Sequence, residues 1–157
     1  MAKKTTTKKK APAAKASTAR LGNIIKKHHT EIARTWRTHI NALLKDKAFE
    51  LLEEDELRRQ TDDLLQLLAD TLSSAKSMDI ESPEFGDLVA LVRDLSVAHA
   101  ESGLSFEETA SIVVSLGSAV CDLIIAKYAS DLPYMKATVS NMLRETERLS
   151  LIAYETY

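Results

Sequence analysis

At 157 residues, 45% of them apolar, the chain is long enough to bury one core, and 4 Gly and 3 Pro leave too little punctuation for a fold of many short strands. One cysteine, Cys121, excludes an internal disulfide framework and a cysteine zinc site, which fits a reducing cytoplasm. The net charge of −2 joins two unlike parts: residues 1–20 hold Lys3, Lys4, Lys8, Lys9, Lys10, Lys15 and Arg20 with no acid, while the remainder carries 14 basic and 23 acidic side chains.

After the initiator, residues 1–18 contain no large apolar side chain whose burial would offset the entropy of ordering, so they read as a disordered basic tail ahead of a helical domain over 19–157. Lys3, Lys4, Lys8, Lys9, Lys10 and Lys15 could touch nucleic acid through phosphates, but no aromatic residue is interleaved to stack on bases. A solvating tail is the preferred reading, with nucleic-acid binding as an alternative.

From residue 21 the series Leu21, Ile24, Ile25, Ile32, Trp36, Ile40, Leu43 and Leu44 advances mostly by threes and fours, which predicts one amphipathic helix over 21–45. Past Asp46 and Lys47 comes an apolar cluster of Phe49, Leu51 and Leu52. Leu57, Leu64, Leu65, Leu67, Leu68 and Leu72 then predict a second helix over 55–75. Ser82 and Pro83 supply an N-cap hydroxyl and a first-turn proline for a third, carrying Leu88, Leu91, Val92 and Leu95 and closing at Gly103. Ser105 and Glu108 have the spacing of a capping box. The fourth helix, with Ile112, Val113, Leu116, Val120, Leu123 and Ile124, is apolar on more than one side, and Gly117 admits a close helix approach. Asp131, Leu132 and Pro133 restart the chain into a fifth helix with Met135, Val139, Met142, Leu143, Leu149, Ile152 and Tyr154, still running at Tyr157.

No apolar run reads as approaching the roughly 20 residues that span a bilayer, and the Lys-rich start lacks the apolar stretch of a secretory signal, so an unexported, soluble chain is expected. Catalysis has no candidate constellation: no phosphate loop, nucleophile elbow or His-Glu-x-x-His stretch is present, and Glu53-Glu54 and Asp62-Asp63 read as solvated charges. His28 and His39 fall on the stripe of the first helix, about 16 Å apart by helical rise, too far to share a metal. His99 extends the stripe of Leu88, Val92 and Leu95. It is the candidate ligand residue should the domain bind haem or a small molecule; a pH-sensitive packing residue and a rim residue are the alternatives, and no cofactor is expected.

Three stretches carry a family resemblance. They are Glu31-Ile32-Ala33-Arg34-Thr35-Trp36, then 98–110 with Ala98, His99, Ala100, Glu101, Ser102, Gly103, Leu104, Ser105, Phe106, Glu107, Glu108, Thr109 and Ala110, and 148–157 from Arg148 through Leu149, Ile152 and Tyr154 to Tyr157. Over 21–157 the chain resembles the N-terminal domain of RsbR and RsbRD proteins, co-antagonists of the RsbT kinase in stressosome signalling. The resemblance implies a globin-like bundle of about five helices without obligatory haem, a homodimer, and a non-catalytic input role. Its final helix would lead toward a STAS domain or a histidine kinase as partner, although no STAS phosphorylation site can be carried over. Met142, Leu149, Ile152 and Tyr154 are the expected dimer and output surface.

Overall fold

A computed structural model describes residues 3–45 and 47–156, with side-chain surroundings from Ala13 onward except those of Ala48 and Phe49. Its described residues form an all-α fold: α1 (Lys3–Lys27), α2 (His29–Leu44), α3 (Lys47–Leu51), α4 (Glu54–Ser74), a 3-10 turn (Pro83–Phe85), α5 (Gly86–Glu101), α6 (Phe106–Tyr128) and α7 (Leu132–Glu155). α6 packs on α2 and α7, α4 packs on α1, α2 and α5, and α5 closes the bundle against α7.

The helix expected over 21–45 is two helices. His28 takes φ −110° and ψ 22° between α1 and α2. The ladder nevertheless runs through the bend, with His28 N–H donating to Ile24 O and Ile32 N–H to His28 O, each at 3.0 Å. The reason is a change of partner: α1 packs along α4, whereas α2 must also reach α6. Gly22 makes the first of these contacts possible, because a Cβ there would meet the Ala69 carbonyl oxygen at 2.8 Å. The helical backbone of α1 reaches back to Lys3, but Ala13 to Ala16 are exposed and burial begins at Thr18.

Two caps decide the middle of the chain. Gly103 has φ +95°, the left-handed geometry that closes α5. Two residues on, Glu108 N–H donates to Ser105 Oγ at 3.1 Å, and Ser105 N–H donates to Glu108 Oε2 at 2.8 Å, completing the capping box of α6. Ser82 behaves otherwise. It precedes a 3-10 turn instead of an α-helix, because the chain needs one tight turn to bury Phe85 before α5 begins, and its buried hydroxyl has no hydrogen-bond partner among the described residues.

By length and composition α6 could cross a bilayer, with a mean hydropathy of 1.9, which corrects the expectation that no run approaches that length. Its apolar character is explained by position: 61% of the apolar window is buried between α2 and α7. Gly117 lets α7 approach, since an added Cβ would lie 3.0 Å from Thr146 Cβ and collide with its hydroxyl. Trp36 crosses the α2–α6 contact, donating its indole N–H to Ile112 O at 3.0 Å and Ser115 Oγ at 2.9 Å.

Candidate sensory site and output helix

His99, on the last turn of α5, is 2% exposed and lies among Trp36, Leu57, Gln60, Val92 and Ile112. One ring nitrogen, Nε2, is 2.9 Å from Gln60 Oε1, and the other, Nδ1, is 3.4 Å from Thr109 Oγ1. Burial pushes its pKa down to about 4, against a smaller opposing pull from Glu56, so the ring is neutral at neutral pH. The space beside it is about 10 Å³, room for a single water, whereas sites for small organic ligands run from roughly 300 Å³ upward. Haem does not fit. His99 is a packing histidine that completes a small buried polar cluster with Gln60 and Thr109.

The other histidines stand at the surface of the bundle. His28 is half-buried at the α1–α2 bend, its ring edge-on to Tyr128 at 6.5 Å, and His29 sits 3.4 Å from Asp62 O. His39 lies 3.4 Å from Asp122 at the edge of an open groove of about 570 Å³, lined mainly by Ala42, Leu43, Ala110, Ser111, Val114 and Ser118. Because the helix bends at His28, His28 and His39 share no continuous stripe. Cys121 is buried, and burial pushes its thiol up to about 11, which leaves it an inert apolar side chain.

The expected output residues on α7 separate into two faces. Met142 and Leu149 are each 2% exposed and point into the chain's own core, with Ile152 packed partly against it. Tyr154 is 48% exposed and meets Phe106 edge-on at 4.6 Å. Met142 and Leu149 therefore cannot form an outer surface of the folded subunit. Leu132 is exposed at the start of α7, and along its second half Leu143, Leu151 and Tyr154 face outward, with Glu147 between them at steps of four, four and three. The sequence pattern placed Leu143 with the inward-facing Met142 and passed over Leu151, since one helical position separates each of these from a core residue.

Residues 30–157 match the family described as the RsbT co-antagonist protein RsbRD N-terminal domain. The chain belongs to this family. No curated protein and no solved structure is similar enough to be matched. Family membership places the chain in a stressosome-type signalling context, and the three stretches that resembled the family all lie within the matched region.

Two polar junctions that hold α7 were not foreseen. Arg20 of α1 stacks 3.8 Å over the Tyr134 ring and pairs with Asp131 at 3.0 Å, so the start of α7 is tied to α1. At the other half of α7, Arg148 holds the buried Glu145 through both carboxylate oxygens, at 2.8 and 2.9 Å. It also reaches Asp79 at 3.2 Å and Glu81 at 2.9 Å in the α4–α5 connection. Glu145 and Arg148 are three residues apart on one helix, but Asp79 and Glu81 are nearly seventy residues away, beyond any local pattern. Of the tail cations, Lys15 is exposed; the side chains of Lys3, Lys4, Lys8, Lys9 and Lys10 lie outside the described residues.

Proposed function

We propose that this chain is a non-catalytic signal-input and dimerisation domain of stressosome-type or histidine-kinase signalling, acting in the cytoplasm and passing its state to a STAS-domain or kinase partner through α7. The domain is assigned to residues 19–157, preceded by the basic stretch 1–18, of which Thr18 is already buried against the bundle. The observation that carries this reading is the outer stripe of α7: after the core is filled, Leu143 (43% exposed), Leu151 (58%) and Tyr154 (48%) remain on one face of the helix that ends the domain. Three large apolar side chains along one helix face suit coverage by the same face of a second copy, which a two-fold axis would place opposite.

Light scattering tests this directly. Wild type should be a dimer, and Leu143→Glu combined with Leu151→Glu should yield a monomer with unchanged far-UV circular dichroism, because neither side chain contributes to the core. A wild type that stays monomeric at the highest soluble concentration would refute the dimer. Substituting Met142 or Leu149 would not discriminate, since a charge there breaks the core itself.

A further inference from the structure

A cleft of about 210 Å³ opens between α1, the α4–α5 connection and α7. Its walls come from segments far apart in sequence: Ser17 and Thr18 of α1, Ser77 and Met78 of the connection, and Thr138, Asn141 and Arg144 of α7. The chemistry differs from that of the two other spaces described. The His39 groove is apolar and wide open, and the space at His99 holds about 10 Å³. Here hydroxyls, an amide and a guanidinium converge, and among the described residues no carboxylate lines the walls.

Charge around the cleft is arranged to the same effect. The three nearby acids, Asp79, Glu81 and Glu145, converge on Arg148, outside the lining. Arg144 is left with one long contact to Glu145 at 3.7 Å and one hydrogen bond, donated to Asn141 Oδ1 at 3.0 Å. A guanidinium has five N–H donors, so Arg144 retains capacity for an acceptor. One turn before Thr138 on α7, the Tyr134 hydroxyl is buried without a hydrogen-bond partner of good geometry, and Thr138 is the side chain it interacts with.

We propose that this cleft binds a small carboxylate-bearing metabolite, its carboxylate on Arg144 and Asn141 and its remaining polar atoms on the hydroxyls of Ser77 and Thr138. The volume falls below the roughly 300 Å³ of drug-sized sites, which restricts the ligand to a compact molecule. Arginine suits a carboxylate because its planar fork matches both oxygens. Since α7 forms one wall and the Arg148 cluster adjoins it, an occupant would tighten α1 and the α4–α5 connection onto the output helix. That consequence rests on the input role proposed above; binding itself does not depend on the dimer.

The test is a titration of the full chain with malonate, and separately with inorganic phosphate, at constant ionic strength, followed by amide chemical shifts. Expected are saturable malonate shifts at Ser77, Thr138, Asn141 and Arg144, with a Kd on the order of 1 mM or tighter. They should vanish in Arg144→Gln and in Ser77→Trp, which fills the cleft, and persist in Arg34→Gln on the exposed side of α2. Both altered cleft residues are solvent-facing, so the amide spectra of the variants will show a retained fold. Shifts that fail to saturate, that survive both cleft variants, or that respond to phosphate alone would overturn the assignment. A monomeric protein that still binds malonate this way would separate failure of the dimer from failure of the site.

Discussion

The neutral, buried imidazole of His99 makes stability depend on pH in a defined direction. Its folded pKa, about 4, lies below the ordinary histidine value of 6.5, so between these values the unfolded chain binds the extra proton. Stability is therefore full above pH 6.5 and falls as the medium is acidified toward pH 4, by up to about 3 kcal/mol from this group. Denaturant titrations at pH 7 and 4.5 should show a larger loss in wild type than in His99→Gln, which keeps a hydrogen-bonding side chain but cannot titrate. Equal losses would mean that the ring is hydrated in the folded state. At Ser105, replacement by Ala removes one half of the capping box and should cost about 1 kcal/mol, read as a lower denaturation midpoint with unchanged slope. The place of His99 on the stripe of α5 could be read from sequence, but its partners Gln60 and Thr109 come from two other helices and had no local signal. Ser105, Glu108 and Gly103 were fully legible, because caps and left-handed closures are written within four residues.

At the level of helices, the α6–α7 contact and the Arg148 cluster govern how α7 is held. Gly117→Val should cost roughly 1–3 kcal/mol by driving α6 and α7 apart at Thr146, with a lower thermal midpoint as the readout. Arg148→Ala would leave the buried Glu145 with only the long Arg144 contact at 3.7 Å and release Asp79 and Glu81 together. Breaking such a pair from one side should lower the thermal midpoint, and adding Glu145→Gln should recover part of that loss. Hydrogen exchange should then accelerate in residues 76–82 of Arg148→Ala before the core helices respond. Helix positions could be read from sequence because their apolar periods are long and their breaks are marked by Gly103, Asp131 and Pro133. The division at His28 could not, since the stripe steps from Ile25 to Ile32 by two full turns and the hydrogen-bond ladder never stops. Only the exchange of packing partners, a tertiary event, bends the chain there.

For the molecule as a whole, one helix serves two surfaces. α7 fills the core with Met142, Leu149 and Ala153 and turns Leu143, Leu151 and Tyr154 outward, so the core and the proposed dimer surface draw on different residues of one segment. The all-α class followed from composition and period, while the separation of those faces needed coordinates, because a neighbour at i+1 lies about 100° around the helix. The appendage is separable on the same grounds. Deleting residues 1–16 removes side chains which, from Ala13 to Ala16, are exposed, and the thermal midpoint and oligomeric state should both remain those of the full chain.

Trp36 is the single tryptophan of the chain, and it is sealed between α2 and α6 with its N–H committed to Ile112 and Ser115. The domain thus carries a built-in optical reporter. Emission should be blue-shifted and poorly quenched by iodide at rest, and any rearrangement that slides α6 against α2 would redden it, without a label or an engineered residue. A stimulus that alters the C-terminal helix alone would leave the colour unchanged, so fluorescence can sort signals that reach the centre from those confined to the rim.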